Sequence, residues 1–582
     1  MAKTSITKIL QNIAMLLEIK GENPFKSRAY YNAARTLSGI TNLEELIKEK
    51  RLREIKGIGE AISQKIEEYS KTGKMEYYDE LTGDVPESLL ELLEIPNLGP
   101  RKIKALYDEL AISNMGELEY ACKENRLVHL AGFGEKTQEK VLKGIEFVKR
   151  HKGEFLFGDI YVESQGVKER LASLFQAEWV EVCGSIRRRK EVVRDMDILV
   201  AASDREQVTS FFLSMPEVEE VIVTGDTKTS VRMKSGIEAD LRVVGREEFP
   251  YALMYFTGSK EHNVRLRGIA KRRGWKLNEY GLFDCDSLIK CDNEEHIYRT
   301  LGLPFIPPEL REDTGEIEAG EEGILPVLLK KEDMRGTFHV HTDFSDGIDS
   351  LEAMVQAAQR LGFSYVGISD HSKTAYYAGG LKEDAVLRQW EMIDKLNANN
   401  ASIHVFKGIE SDILPDGSLD YDDSILEGFD FVIASVHSGF TMKKEDMERR
   451  ILKAMENPFT TILGHPTGRL LLSREGYQLD LINIIEGASR NGVILELNAS
   501  PYRLDIDWRY LKYAREKKVM ISINPDAHAI AGLDDVFYGV NIARKGWQES
   551  KDVLNTKDVN DIKDTFKKLR DAKRHKKNYS RS

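Results

Sequence analysis

Between residues 335 and 529, short apolar stretches keep running into histidines and carboxylates. The runs are His339-Val340-His341, Asp370-His371, Gly408-Ile409-Glu410, Ser435-Val436-His437, Gly464-His465-Pro466 and Asp526-Ala527-His528, and they hold six of the chain's twelve histidines. Read as alternating β and α segments, this layout demands a fold in which several strand ends meet at one place. A strand alternates its side chains, so His339 and His341 are expected to point the same way, as are Asp526 and His528 if that stretch is extended. Imidazoles and carboxylates converging from several strand ends suit a polynuclear metal site, because each ion takes three or more protein ligands and keeps an open position. With Asp346, the candidate ligands are His339, His341, Asp346, His371, Glu410, His437, His465, Asp526 and His528.

At 582 residues the chain is too long for a single core, and about 150 residues per domain suggests roughly four domains. No stretch approaches a membrane span. Residues 1–9 carry lysines without an apolar run or a small-residue cleavage site, so a cytoplasmic location is expected. Cys122, Cys183, Cys285 and Cys291 form no CxxC pair and lie far from the histidines. That pattern fits a reducing compartment and metals held by nitrogen and oxygen. A net charge of −12 argues against coating nucleic acid by bulk electrostatics. Charge is unevenly spread: residues 309–322 are strongly acidic and residues 567–582 strongly basic. The basic tail reads as a solvated, disordered end. For the acidic segment two readings stand, a linker or a segment packed on a neighbouring domain.

Three apolar-glycine hairpins come first along the chain. Gly57-Ile58-Gly59, Asn97-Leu98-Gly99 and Gly132-Phe133-Gly134 recur at intervals of about forty residues, each between helical stretches. These are helix-hairpin-helix signatures. Their glycines let backbone approach a phosphate, and the exposed N–H groups opening the next helix bind the anion, so such a site needs few lysines. Gly57, Gly59, Gly99, Gly132 and Gly134 are therefore candidate DNA contacts. Asn97 departs from the pattern, which leaves the second hairpin either a weak phosphate site or packing only.

From Phe155 the pattern turns to mixed α/β. A strand ending in Val182-Cys183 leads into Gly184-Ser185, then Arg187-Arg188-Arg189-Lys190, then Arg194-Asp195-Met196-Asp197-Ile198-Leu199-Val200. Asp195 and Asp197 share one face of a strand, and Asp240 stands on an expected neighbouring strand. Three carboxylates so gathered hold two divalent cations for phosphoryl transfer, with Ser185 and the arginines placed for a triphosphate.

Gly184-Ser185, Asp195-x-Asp197, Asp240, Tyr255-Phe256-Thr257-Gly258-Ser259, Asn263 and Asn278-Glu279-Tyr280 together resemble the palm and thumb of a family X DNA polymerase, related to DNA polymerase beta. The histidine set resembles the polymerase-and-histidinol-phosphatase (PHP) domain, and the fusion is similar to bacterial and archaeal family X polymerases over about residues 8–569. The resemblance implies a multidomain chain: α-helical helix-hairpin-helix domains at 1–80 and 81–152, an α/β nucleotidyltransferase palm at 153–245, a thumb at 246–308, an acidic linker at 309–333, a distorted (β/α)7 PHP barrel at 334–570 and a basic tail at 571–582.

It also implies roles. Asp195 and Asp197 would be shared by two Mg2+ ions, with Asp240 the third ligand and acceptor of the primer 3′-hydroxyl proton. Gly184, Ser185 and Arg188 would meet the incoming triphosphate, Tyr255, Phe256 and Gly258 its sugar, and Asn263 the minor-groove edge of the new pair. Arg267 falls where the family places a template contact, with a solvated helix residue as the alternative. Lys260 replaces an acidic residue of the mammalian relative. Lys65 matches the Schiff-base lysine of members with lyase activity, whereas Ala61 stands where the mammalian relative has a second lysine. In the barrel, His339, His341, Glu410 and Asp526 would hold one metal, Glu410, His437 and His465 a second, and Asp346, His371 and His528 a third, with Mn2+ or Zn2+ as the ions. Arg469 has two readings, a phosphate contact or a structural ion-pair member. The expected partners are gapped or primer-template DNA and dNTPs, with no membrane, and a monomer is expected. Expected activities are gap filling, a 3′–5′ exonuclease and abasic-site cleavage. Two rival readings are a template-independent nucleotidyltransferase fused to a phosphatase, and a DNA-binding scaffold with structural metals.

Overall fold

The computed structural model describes the chain except residues 1, 40–42, 56–57, 96–97, 129, 150–152, 175–176, 226 and 580–582. The chain divides into two compact units, residues 1–148 and 149–582.

The first unit is helical. Its core gathers one apolar face of each helix, from Ile6, Leu10 and Leu17 in helix Ala2–Lys20 to Val141 and Ile145 in helix Glu135–Lys149. All three hairpins are built alike. The apolar residue between the glycine positions is buried (Ile58, Leu98, Phe133), and its N–H donates to the carbonyl three residues back (Ile55, Ile95, Leu130). Gly59 and Gly99 then sit at the N-caps of helices Glu60–Thr72 and Pro100–Leu110.

In the second unit the palm is a five-stranded sheet, in the order Ala177–Val182, Asp195–Ala202, Glu238–Val244, Thr229–Met233, Val218–Thr224. Its central pair is parallel and the rest antiparallel. The thumb packs helices Phe249–Thr257, Lys260–Arg272 and Glu294–Thr300 on a three-stranded sheet.

The barrel's seven strands run parallel in chain order: Gly336–Val340, Tyr365–Ile368, His404–Asp412, Phe431–Ser435, Ile462–Leu463, Ile494–Asn498 and Ile521–Asn524. Nearly every residue of these strands is buried, as expected of parallel strands covered on both faces. Beyond the last strand, Ala527 N–H donates to His339 O at 3.2 Å and the Ala527 carbonyl accepts from His341 N–H at 2.9 Å, nearly closing the barrel. Outer helices start where Ser350, Asp480 and Asp507 cap their first turns.

Of the two readings open for the acidic segment the packed one holds, and the expectation for the basic tail is revised. The acidic segment is folded, with a 3-10 turn Pro308–Leu310 and helix Glu316–Glu321, because its buried carboxylates meet a cation or imidazole. Glu309 pairs with Arg544 at 2.8 Å, Glu312 with Lys545 at 2.6 Å, and fully buried Glu316 with His262 at 2.6 Å. The tail expected to be disordered continues helix Val559–Tyr579. Phe566 and Ile562 of that helix close one end of the barrel against Phe338, Phe406 and Phe431, while the buried Lys573 ammonium donates to Thr460 O at 2.6 Å. The helix persists because its apolar face is used and part of its charge is paired.

Candidate active sites

In the palm, the parallel central pair places Asp197 opposite Asp240 in register, with Asp195 two residues earlier on the same face. Burial, then the charges of Asp195 and Asp240, push the Asp197 carboxyl up to about 7. Asp195 is raised by burial and by Asp240. Three carboxylates gathered on neighbouring strands, two of them raised by burial and by the charges beside them, are the donor set a pair of dications relieves. One oxygen of Asp240 accepts from Ser230 Oγ at 2.6 Å and the other from the Lys228 ammonium at 2.5 Å, so a cation already sits on this carboxylate. Sequence reading missed Lys228 and Ser230 because only the strand pairing Ser230↔Asp240 brings them there.

Gly184 has φ +60°, and a Cβ there would lie 2.4 Å from Asp197 Oδ2. The sequence needs glycine at this turn both for the left-handed backbone and for the approach of the carboxylate. A cleft of about 350 Å3 is lined by Gly184, Ser185, Arg188, Asp195, Asp197, Tyr255, Phe256, Gly258, Asn263 and Arg267, together with Lys260. Asp240 stands on the adjacent strand. Arg188 is held by Glu312 (Nε to Oε1, 3.0 Å) and the Thr257 carbonyl (Nη1, 2.6 Å). Asn263 donates from Nδ2 to Tyr255 O at 2.7 Å, and its buried Oδ1 has no hydrogen-bond partner.

In the barrel all nine candidate residues cluster at the carboxyl ends of the strands. Glu410 is the hub: its oxygens lie 2.8–3.8 Å from the ring nitrogens of His371, His465, His437, His339 and His341. Asp526 Oδ1 is 3.3 Å from Nε2 of both His339 and His341. Asp346 faces His528 at 3.4 Å and His371 at 3.5 Å. Four groups have ligand atoms within 4.8 Å of one another: His341/Asp346/His371/His528, His339/Glu410/His465, His339/His341/Asp526 and His371/Glu410/His437. They differ from the expected sets in giving His341 to the Asp346 group and in separating His465 from His437. Buried His339 Nε2, both nitrogens of His341, Asp346 Oδ2 and Glu410 Oε2 lie close to opposite groups yet form no aligned hydrogen bond. Orphaned donors and acceptors at the centre of a buried cluster are costly unless a cation binds them, so the residues fit divalent metal.

Convergence does not come from regular strand alternation. His339 has φ +59°, Asp526 φ +54° and His465 φ +22°, and the first strand's pairing shifts register between Thr337 and Val340. Left-handed backbone at non-glycine residues is a local cost that a functional site sustains. The His339 and His341 rings still approach to 5.2 Å.

A supporting layer escaped sequence reading. Glu496, fully buried, accepts from His339 Nδ1 at 2.6 Å and from His465 N–H at 2.7 Å. Asp412 binds His437 Nδ1, and Asp370 accepts from Thr342 N–H at 2.8 Å and Gln389 Nε2 at 2.6 Å. Carboxylates behind ligating imidazoles fix their tautomer and orientation. A lone Glu496 within Val493-Ile494-Leu495-Glu496-Leu497 was the available signal. Burial opposes charge on His339, but Asp526, Glu496 and Glu410 hold its pKa well above normal. For His341, burial and the facing His528 and His371 lower it.

Arg469 takes its structural reading: it donates to Asp507 at 2.7 Å, to Arg503 O at 3.0 Å and to Leu504 O. Arg503, with Nε 3.6 Å from Asp526 Oδ2, is the guanidinium beside the cluster.

In the first unit, a Cβ at Gly59, Gly99, Gly132 or Gly134 would meet nothing within 4 Å. Only Gly132, at φ +86°, is demanded by the backbone; elsewhere the space in front of the hairpin is open for a ligand. Gly57 lies outside the described residues. Lys65 Nζ sits 4.6 Å from the centre of the Tyr77 ring, which Lys26 shares at 5.4 Å.

A three-carboxylate palm under a thumb, joined to a parallel barrel bearing a histidine-carboxylate cluster, defines a nucleotidyltransferase fused to a PHP-type phosphoesterase. Residues 1–75 match the helix-hairpin-helix domain, 89–146 the SAM-like helix-hairpin-helix tandem, 252–312 the DNA polymerase beta thumb and 337–524 the PHP domain. Over 576 residues, 98% of this chain and 100% of its relative, the sequence is 38% identical to the DNA polymerase/3′-5′ exonuclease PolX of Bacillus subtilis. The chain belongs to this PolX family, the family X DNA polymerases that carry a PHP domain. It is also 26% identical over 227 residues to a probable phosphatase of a Thermoanaerobacter species (35% of this chain, 90% of that one). Over 163 residues it is 26% identical to the repair DNA polymerase X of African swine fever virus (25% of this chain, 92% of that one).

Proposed function

We propose that this chain is a DNA repair polymerase that fills short gaps under template direction and trims 3′ ends with its barrel, which also cuts at abasic sites. The observation that carries the polymerase half is the palm cleft, where residues from Gly184 to Arg267 meet around Asp195 and Asp197. In this reading Asp195, Asp197 and Asp240 hold two Mg2+, and the nine barrel residues hold up to three Mn2+ or Zn2+. Such ions, when bound, neutralise charge and act as Lewis acids at a phosphorus under attack.

The chain's own residues do the rest. Ser185 and Arg188 bind the triphosphate, and Arg188, fixed by Glu312 and Thr257, orients it. Tyr255, Phe256 and Gly258 pack the sugar. Asp240 accepts the primer 3′-hydroxyl proton once Lys228 releases the oxygen facing it. In the barrel Glu496 and Asp412 hold the imidazoles, while Arg503 draws the scissile phosphate toward the cluster. The hairpins hold gapped DNA through backbone N–H groups. Lys65, if it attacks an abasic sugar, does so beside Lys26 and Tyr77.

A crossed pair of variants tests the assignment. On a one-nucleotide gap with magnesium and four dNTPs, Asp195→Ala with Asp197→Ala abolishes extension and spares manganese-dependent removal of a 3′ mismatch. His339→Ala does the reverse. Extension that ignores the template base overturns template direction, and loss of both activities in either variant overturns the two-site assignment provided the variant is folded.

A further inference from the structure

Lys545, the last residue of barrel helix Val536–Lys545, is fully buried, yet it touches no part of the histidine cluster. Its ammonium points at the palm instead. It donates to Glu312 Oε1 at 2.6 Å, to the Arg188 carbonyl at 3.0 Å and to the Glu309 carbonyl at 3.4 Å, and lies 4.6 Å from the centre of the Trp508 ring. Burial pulls its pKa down to about 8 even with Glu312 opposing. A buried ammonium with three acceptors is expensive to build and is strongly tied to what it touches.

What it touches is the nucleotide cleft. Glu312 is also the partner of Arg188 at 3.0 Å and stands 3.7 Å from Lys190. One carboxylate thus faces three cations. Were Lys545 neutral, Glu312 would be left to Arg188 and the more distant Lys190, and the Arg188 charge would be largely cancelled at the place where an anion is to bind. With Lys545 present the carboxylate is shared, and positive charge remains at the cleft edge.

We propose that Lys545 is a positioning residue for the incoming nucleoside triphosphate: from the barrel it occupies Glu312 and holds the Arg188 backbone, so that the Arg188 guanidinium stays fixed and electrostatically available. The barrel fold is then part of the polymerase site as well as the carrier of the nuclease. This inference rests on the reading of Arg188 as a triphosphate contact.

The test uses the full-length chain on a one-nucleotide gap with magnesium, with the 3′–5′ nuclease as an internal control for folding. Lys545→Met raises KM for dNTP about tenfold with kcat within about twofold, the size of one charge-assisted hydrogen bond, and leaves nuclease activity unchanged. Adding Glu312→Gln to Lys545→Met restores KM toward the wild-type value, because the uncompensated carboxylate is gone. Lys545→Arg, which keeps the charge, stays closer to wild type than Lys545→Met. Should Lys545→Met not fold, Lys545→Gln keeps a polar contact without the charge and is read in its place. Arg188→Ala separates the two ideas. If it raises KM while the Lys545 variants do not, or if the double variant is as impaired as Lys545→Met, the role of Lys545 is overturned. If Arg188→Ala leaves KM unchanged, the reading of Arg188 itself falls.

Discussion

Glu496→Gln isolates the supporting layer of the nuclease cluster. The native carboxylate accepts four hydrogen bonds: from His339 Nδ1 at 2.6 Å and Asn524 Nδ2 at 2.8 Å on Oε1, and from His465 N–H at 2.7 Å and Asn498 Nδ2 at 3.4 Å on Oε2. A glutamine of the same shape has one acceptor oxygen and one NH2. With the oxygen toward His339, the NH2 faces the His465 N–H donor to donor; flipped, it faces the His339 ring. Either orientation leaves a buried donor unsatisfied and costs ~1–3 kcal/mol. Where the glutamine NH2 faces it, the His339 ring is also no longer held in the ligating tautomer, a loss of about 10–100-fold in metal affinity, or ~1.4–2.8 kcal/mol. Removal of a mismatched 3′ nucleotide, titrated with Mn2+, is therefore expected to show its midpoint moved upward by that factor. Gap filling with magnesium should stay at the wild-type rate. A midpoint that does not move, in a folded variant, refutes the claim that this carboxylate organises the imidazoles.

Three further outcomes are expected. Gly184→Ala places a methyl 2.4 Å from Asp197 Oδ2 at a φ of +60°, so gap filling is lost while the nuclease persists, as paired assays would show. Gly59→Ala with Gly134→Ala meets open space, so unfolding free energy changes by no more than ~0.5 kcal/mol while affinity for gapped DNA, read by fluorescence anisotropy, falls severalfold. The half-buried His404 ring lies against Phe406, and burial with help from Lys563 lowers its pKa from 6.5 to about 4. The folded state then binds the proton less readily than the unfolded one. His404 stability is fully present above pH 6.5 and is lost as pH falls toward 4, amounting to about 2 kcal/mol after allowing for partial solvent access. Urea unfolding at pH 7.5 and pH 5 should show a smaller drop for His404→Leu than for the native chain; equal drops would refute this.

The palm, thumb and barrel share a buried boundary. Glu191 of the palm accepts from Trp508 Nε1 at 3.1 Å and from Arg509 at 3.0 Å, and the Phe157 and Tyr161 rings pack on Tyr538 and Phe537. A Cβ at Gly158 would come within 2.5 Å of Pro501, so the backbone there is pressed directly onto the barrel. Contacts this close and this polar resist sliding, which gives the Lys545 contact a fixed place from which to act.

Much of the chemistry was present in the linear order of residues, and the reason is local. Asp195 and Asp197 share a face because a strand has period two, the three hairpins announce themselves through glycine spacing, and histidines following apolar runs mark strand ends whatever the barrel's final shape. What depends on contacts across long sequence separations was decided only when the chain folded. Lys228 and Ser230 reach Asp240 through strand register. Glu496 stands behind His339 across 157 positions, Lys545 beside Arg188 across 357. His339 and Asp526 leave regular strand geometry to meet. The acidic segment became a packed strap, and the basic end became a helix, because each found partners that composition alone does not name: a charge in sequence is only a charge, and whether it is solvated or paired is settled by what the tertiary fold sets opposite it.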